Sequence, residues 1–374
     1  MHQPVITGTG VFTPEQTITN AELVEAFNAY AEKFNAAHAS EIAAGAVEAK
    51  DASSVEFIFK ASGIEQRYVL DKTGILNPDI MHPVLRERSD DEPGVMAEMA
   101  LDACNKALAQ AGKTAADVDA VIVAASNMER AYPAIAIEVQ DLLGINGFGF
   151  DMNVACSSAT FGIQAASDMV RSGSARAILV VNPEICSGHL EWRDRDCHFI
   201  FGDVCTATLI EQKDSVSVPH FEVLSTRCLT QFSNNIRNNN GFLRRNRPDG
   251  VEDRRDMQFM QNGRKVFKEV LPIVSNHILG HLEEEGQSPD NLKRLWLHQA
   301  NKAMNDFIGR KVLGRVPEPA EQPNILQDYA NTSSAGSIIA FSKHSDDMVD
   351  GDFGLICSFG AGYSVGSVLL KRSA

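Results

Sequence analysis

The 374-residue chain has no Cys-x-x-Cys pair, no low-complexity tract and no apolar run long enough to span a bilayer. Its seven cysteines (104, 156, 186, 197, 205, 228 and 357) are odd in number and scattered. That argues against a disulfide framework and against a zinc site, and it fits a reducing cytoplasm. Positive charge is scarce as well: Lys plus Arg number 34 against 49 Asp plus Glu, a net charge of −15. Nucleic acid is therefore not an expected partner. The N-terminus, Met-His-Gln-Pro-Val-Ile-Thr, lacks the basic segment and apolar stretch of a secretory signal, so a cytoplasmic location is expected. With 44% hydrophobic residues, the chain suffices for one large core or two ordinary domains.

The cations that are present crowd together. Arg237, Arg244, Arg245, Arg247, Arg254, Arg255, Arg264, Lys265 and Lys268 share one stretch, and Lys302, Arg310, Lys311 and Arg315 another. The first run reads either as a solvated face balanced by Asp249, Glu252, Asp253 and Asp256, or as a docking surface for an anionic substrate or acidic protein.

Four segments place reactive or turn-forming residues at the ends of apolar runs. Asp151-Met-Asn-Val-Ala-Cys156-Ser-Ser-Ala-Thr-Phe-Gly162 leads from a strand over 147–152 into a helix over 157–172, stopped by Gly173. Cys156 thus lies at a helix N-terminus, where free N–H groups and the macrodipole favour negative charge, and a lowered thiol pKa is expected. Leu295-Trp-Leu-His298-Gln-Ala-Asn301 is a short apolar strand ending in His and Asn. Tyr329-Ala-Asn331-Thr-Ser-Ser-Ala-Gly336 enters another helix, and Ser358-Phe-Gly360-Ala361-Gly362 is a glycine-rich turn after a strand over 353–357. Taken singly, each has an ordinary structural reading: a small buried cysteine, a core histidine, an asparagine N-cap.

The chain also repeats itself. A helix over 96–111, a stop at Gly112 and an apolar strand from Ala120 towards Asn127 are matched by a helix over 266–285, a stop at Gly286 and a strand from Leu292 towards Asn301. Asn153-Val-Ala-Cys156 leads to Asp168-Met-Val much as Asn331-Thr-Ser-Ser334 leads to Asp347-Met-Val. Two copies of one α/β unit follow, with buried sheets covered by helices.

Together the four segments resemble the β-ketoacyl-acyl-carrier-protein synthase III family of the thiolase superfamily, from Ile6-Thr-Gly-Thr-Gly10 to Ser367. The resemblance implies an α/β fold, a thiolase-like five-layer α-β-α-β-α with two duplicated halves. Residues 1–213 would carry the nucleophilic cysteine and 214–374 the His and Asn, with the helices after Cys156 and Asn331 as the central pair. It implies Cys156, His298 and Asn331 as catalytic residues, and the backbone N–H groups of Cys156 and Ala361 as the oxyanion hole, where the family usually has glycine at the second position. Arg195 would line the coenzyme A or pantetheine entrance and Tyr132, in Arg130-Ala-Tyr-Pro133, would form an acyl-pocket wall delivered across a homodimer interface.

The departures are specific. Where the family often sandwiches adenine between Trp and Arg, the chain has Phe57 and Ala61, so stacking survives on Phe57 while the cation is missing unless Lys60 substitutes. A carrier-docking arginine is replaced by Ala303 beside Lys302, with Lys268, Arg310 and Lys311 as further docking cations. His189 is read as loop structure, His198 lies in a segment from Arg193 to Asp203 that also resembles the family, and Cys205 and Cys357 are read as inert packing. Residues 28–52 read as extra helix and 71–93 as an irregular insertion, which suggests an acyl primer larger than acetyl.

The resulting expectation is a decarboxylating Claisen condensation of an acyl-coenzyme A primer with malonyl-acyl-carrier protein in fatty acid biosynthesis, with no metal and no bound cofactor beyond the coenzyme A thioester substrate. The alternatives are a non-decarboxylating acyl-coenzyme A condensing enzyme, an acyl-thioester transferase or hydrolase using the same cysteine, and an acyl-binding protein without activity. The non-decarboxylating condensers carry an acidic residue where this chain has Tyr132.

Overall fold

The computed structural model describes residues 1–238 and 254–373. Arg244, Arg245, Arg247, Asp249, Glu252 and Asp253 of the cation-rich stretch lie outside the described residues, as do the side chains of Arg254 and Asp256.

The first half runs β1 (Pro4–Phe12), β2 (Gln16–Thr19), α1 (Asn20–Ala37), α2 (Ala39–Ala43), α3 (Val55–Ser62), β3 (Gln66–Val69), α4 (Lys72–Ile75), α5 (Val95–Ala111), β4 (Ala120–Ala124), α6 (Ile135–Leu143), β5 (Phe148–Met152), α7 (Ser158–Ser172), β6 (Ala177–Glu184) and β7 (Val204–Gln212). The second runs β8 (His220–Thr230), β9 (Ile236–Arg237), β10 (Met260–Gln261), α8 (Gly263–Glu284), β11 (Leu292–Leu297), α9 (Lys302–Leu313), α10 (Leu326–Tyr329), α11 (Gly336–Lys343), β12 (Phe353–Gly360) and β13 (Ser364–Ser373). A turn at Lys213–Ser215 joins the two.

One nine-stranded sheet has the order β11-β12-β13-β8-β1-β7-β6-β4-β5. The duplication is visible in it. β1-β7-β6-β4 and β8-β13-β12-β11 have the same order, and each ends on a parallel pair. Among the described residues the second copy has no counterpart of β5. The half-sheets join through only two residue pairs, Val5 with Glu222 and Ile6 with Phe221, so they act as separate layers. Both α7 and α11 touch strands of both halves, whereas α5 and α6 cover the far side of the first and α8, with α9 packed on it, that of the second.

Strand alternation explains how one sheet serves two cores. Ala120, Ile122 and Ala124 of β4 face the central helices, and Val121 and Val123 face α5 and α6. Trp296 points inward while Leu295 and Leu297 point to α8 and α9. Helix ends follow the glycines: Gly112 and Gly173 close α5 and α7 in the left-handed conformation. Glycine also sets the spacing of α5 on β1. A Cβ on Gly8 or Gly10 would lie 2.1 Å or 1.9 Å from a carbonyl oxygen of α5.

The insertion over 28–52 is helical, as expected, as far as Ala43 and departs from helix beyond it. A capping box between Thr19 and Glu22 starts α1 at Asn20, and the chain turns back after α2. The return segment is held to α1 by side-chain amides: Asn35 Oδ1 accepts the Lys50 N–H at 2.9 Å, and Asn28 Oδ1 the Ser53 N–H at 2.8 Å. Those bonds satisfy the backbone without helix. Residues 71–93 are irregular apart from α4, pinned by Asp71, which accepts N–H groups from Thr73, Gly74 and Val84. Among the described residues, no helix is long and apolar enough to cross a membrane.

Candidate active site

Cys156 sits in a single turn of 3-10 helix, Ala155–Ser157, that feeds α7. The preceding Asn153 accepts the Ala155 N–H on Oδ1 at 2.9 Å, and Ala155 adopts a positive φ of 48°. The sulfur is thereby turned out of the helix axis into a cavity of about 530 Å³. His298 and Asn331 line the same cavity, so the three residues expected from sequence are brought together from three elements.

His298 follows the last residue of β11, and its N–H bonds the Cys357 carbonyl at 2.7 Å. Its ring packs edge-on to Phe359, centroids 5.1 Å apart. Burial lowers its pKa to about 4, with a backbone contact from Ser333 opposing, so the imidazole is neutral near pH 7. Asn331 is held at both backbone ends: its N–H bonds the Ile200 carbonyl at 3.0 Å, and its own carbonyl takes the Gly202 N–H at 3.1 Å. Its Oδ1 accepts the Ser333 N–H at 2.9 Å, which leaves the amide N–H groups to donate. Asn331 does not cap α11, whose N-cap is Ala335 with no side-chain bond.

The backbone N–H groups of Cys156 and Ala361 both point at the Cys156 sulfur, and the Ser333 hydroxyl lies beside it. Ala361 has no positive φ; that conformation falls on Gly362 at 67°, so alanine is tolerated where only the N–H is used. Gly360 is required for space. A Cβ there would lie 2.6 Å from Cys156 Cβ and 3.0 Å from its sulfur. Gly360→Ala is expected to block acylation of Cys156 while the protein stays folded, which intact-protein mass spectrometry after incubation with an acyl-coenzyme A would read directly.

The lowered thiol pKa expected from the helix N-terminus is not what the structure shows. Burial, with a smaller contribution from the buried Glu184 carboxyl, pushes the Cys156 thiol up to about 11, against the opposing pull of Ser333 and the two N–H groups. Helix-end dipoles act within a turn, and here desolvation outweighs them. The resting pair is a neutral thiol and a neutral imidazole.

The cavity wall is largely apolar, with Ile64, Phe201, Phe259, Val270, Met304 and Phe359 among its residues. Phe57 lies at this wall, and the Arg195 guanidinium stacks on it 4.1 Å from the ring centroid, steadied by an Nε bond to the Ala52 carbonyl at 2.8 Å. A cation thus stands over Phe57 from another segment, a pairing that sequence separation hid. Tyr132 is 85% exposed and does not line the cavity of its own chain. Lys268, Arg310 and Lys311 are exposed on α8 and α9, while Lys302 is tied to Asp306 at 2.7 Å. His198 is a core residue stacked on Phe27 with Nδ1 2.9 Å from the Arg195 carbonyl, and Cys205 and Cys357 are fully buried in β7 and β12. Among the described residues, no three His, Cys, Asp or Glu side chains cluster so as to hold a metal ion.

Two family models match the chain: 3-oxoacyl-[acyl-carrier-protein (ACP)] synthase III over residues 150–230, and the C-terminal model of that synthase over 282–372. The β-ketodecanoyl-[acyl-carrier-protein] synthase of Pseudomonas aeruginosa is 57% identical over 350 residues, covering 93% of this chain and 100% of that protein. The β-ketoacyl-[acyl-carrier-protein] synthase III of Granulibacter bethesdensis is 29% identical over 376 residues, covering 99% and 100%. Among solved structures, the 3-oxoacyl-[acyl-carrier-protein] synthase III of Aquifex aeolicus matches with a TM-score of 0.76 at 23% identity, covering 98% of this chain and 99% of that one.

Proposed function

The chain belongs to the 3-oxoacyl-[acyl-carrier-protein] synthase III family, condensing enzymes of fatty acid biosynthesis, and on that premise we propose that it extends a medium-chain acyl-coenzyme A by two carbons on malonyl-acyl-carrier protein. The observation that carries this is the convergence on one sulfur, in an apolar cavity, of two backbone N–H groups facing His298 and Asn331. The relative's name gives a ten-carbon β-keto product. Since malonyl adds two carbons after losing CO2, an eight-carbon primer corresponds to it.

Cys156 attacks the acyl thioester as His298 takes the thiol proton, and the tetrahedral oxyanion rests on the N–H groups of Cys156 and Ala361. Coenzyme A leaves as the thiolate, accepts that proton and departs as the thiol. Malonyl thioester then loses CO2; its enolate oxygen takes hydrogen bonds from the neutral imidazole of His298 and the Asn331 amide. The carbanion attacks the acyl carbon, Cys156 leaves as thiolate, and a proton from solvent restores the resting thiol. Phe57 and Arg195 part to admit the adenine of coenzyme A between ring and guanidinium. Lys268, Arg310 and Lys311 offer the acidic carrier a basic face.

Assembly follows from an edge. Among the described residues β5 ends the sheet with one side unpaired, and Phe148 (44% exposed) and Ile137 (49%) are open to solvent, like Tyr132. Such an edge invites pairing with a second copy, and a two-fold there would carry Tyr132 towards the partner's acyl pocket. Acetyl- to dodecanoyl-coenzyme A, each offered with malonyl-acyl-carrier protein, should give the fastest product with octanoyl. A preference for acetyl would refute the chain length. A fully active monomer by light scattering would refute the dimer.

A further inference from the structure

The duplication pairs residues across the two halves. Ala120 aligns with Ile178 in the β4–β6 ladder, as Arg294 aligns with Gly354 in the β11–β12 ladder. β6 and β12 are both eight residues long, so Glu184, at the end of β6, occupies the place of Gly360 at the end of β12. The turns match as well. Ala155 and Ser333 both take positive φ, 48° and 50°, two residues after an Asn whose Oδ1 accepts their N–H at 2.9 Å. Cys156 and Ser334 are then counterparts. Where Gly360 leaves room above Cys156, Glu184 fills the equivalent space against Ser334.

That glutamate is 1% exposed, and in the chemistry above it neither touches substrate nor carries a proton; its one effect there is a small upward push on the Cys156 thiol. Five donors among the described residues converge on it: the Ser126 N–H at 3.0 Å, the Ser126 hydroxyl at 2.5 Å, the Ser334 N–H at 3.2 Å, the Ser334 hydroxyl and, more weakly, the Cys186 thiol at 3.9 Å. Ser126 in turn holds Asn153 through its carbonyl at 2.8 Å, and Asn153 shapes the turn into Cys156. Ser334 follows Ser333, whose N–H orients Asn331. One carboxyl group therefore ties the cysteine turn to the asparagine turn. Burial raises it to about 7 against the pull of the serine donors.

We propose that Glu184 is a positioning residue that sets the Asn331–Ser334 turn relative to Cys156 for the decarboxylating half-reaction. The proposal rests on the condensing mechanism given above. Acyl transfer uses the N–H groups of Cys156 and Ala361, to which Glu184 is linked only at a distance, through Ser126 and Asn153; CO2 loss uses the Asn331 amide, whose turn Glu184 grips directly at Ser334. The two half-reactions should therefore separate.

The test measures both steps in the full-length protein: burst acylation of Cys156 by octanoyl-coenzyme A, and release of labelled CO2 from malonyl-acyl-carrier protein. Glu184→Ala and Ser334→Ala are expected to slow CO2 release about 10²-fold and Glu184→Gln less than about tenfold, as misplacing a reacting group costs on that order. Acylation and the KM for malonyl-acyl-carrier protein should stay near wild type. Gln rescues because its carbonyl still accepts the two N–H bonds. Equal loss of both steps, or none, in the folded Ser334→Ala and Glu184→Gln proteins overturns the proposal. Wild-type protein that releases no CO2 overturns the condensing mechanism instead, so the two failures are told apart.

Discussion

Replacing Cys156 by alanine is expected to abolish the acyl adduct and, with it, condensation, while leaving the fold intact. The substitution removes one sulfur from a residue that is only partly buried and touches neither the capping of α7 nor the inner core. No other cysteine can stand in. Cys104, Cys186, Cys197, Cys205 and Cys357 are buried, with thiol pKa values raised by desolvation; Cys228 is half-buried, but desolvation pushes its thiol up to about 12 and it does not line the cavity. Peptide mapping after incubation with an acyl-coenzyme A should place one acyl mass on the Cys156 peptide alone; label on Cys186 or Cys197 would show the site to be misassigned. The wild-type thiol carries a second signature. Because it is pushed up to about 11, alkylation by iodoacetamide should climb about tenfold per pH unit from pH 7 to 9, as only the thiolate reacts. A plateau already at pH 7 would mean a resting thiolate, and the helix terminus would then outweigh burial after all.

The sites of strand-to-turn transition were legible because composition changes there. Apolar runs give way to Cys156, His298, Asn331 and Gly360, and period and punctuation alone locate those ends. The duplication is legible in the repeat, since a duplicated unit must bury the same faces twice, whereas the layer order rests on the family resemblance. Other features depend on distance in space. The helix expectation fails over 44–52 because Ala- and Glu-rich composition outweighs, in sequence, the amides of Asn28 and Asn35 that hold the return segment extended. The sign of the Cys156 shift was misjudged because a helix end is visible in sequence and the depth of burial is not. Arg195 and Phe57 stack although 138 positions separate them, 195 minus 57. Glu184 was passed over because a lone glutamate at a strand end looks like solvent-facing punctuation. The matched registers of β4–β6 and β11–β12 were the signal that would have found it.

Asn331→Ala should leave Cys156 able to accept an acyl group yet slow CO2 release by about 10²–10³-fold, the usual cost of one oxyanion donor. The argument is geometric. The Asn331 Oδ1 is committed to the Ser333 N–H, so its amide hydrogens face the cavity, and the acyl-transfer oxyanion already has the N–H groups of Cys156 and Ala361. His298→Ala should cost as much in CO2 release and more in acylation, because the imidazole also receives the thiol proton. The pH dependence separates the two roles. With its pKa lowered to about 4 by burial, His298 stays neutral down to about pH 5, so wild-type acylation should hold level from pH 8 to near 5 and fall as pH drops through about 4, where protonation removes the acceptor. In His298→Ala that acid limb should vanish, and acylation should instead rise with pH as free thiolate accumulates towards about 11. In Asn331→Ala the acid limb should remain. Condensation by Asn331→Ala at the wild-type rate would reduce Asn331 to an element of the Ser333 turn, and the enolate would then have His298 as its side-chain donor.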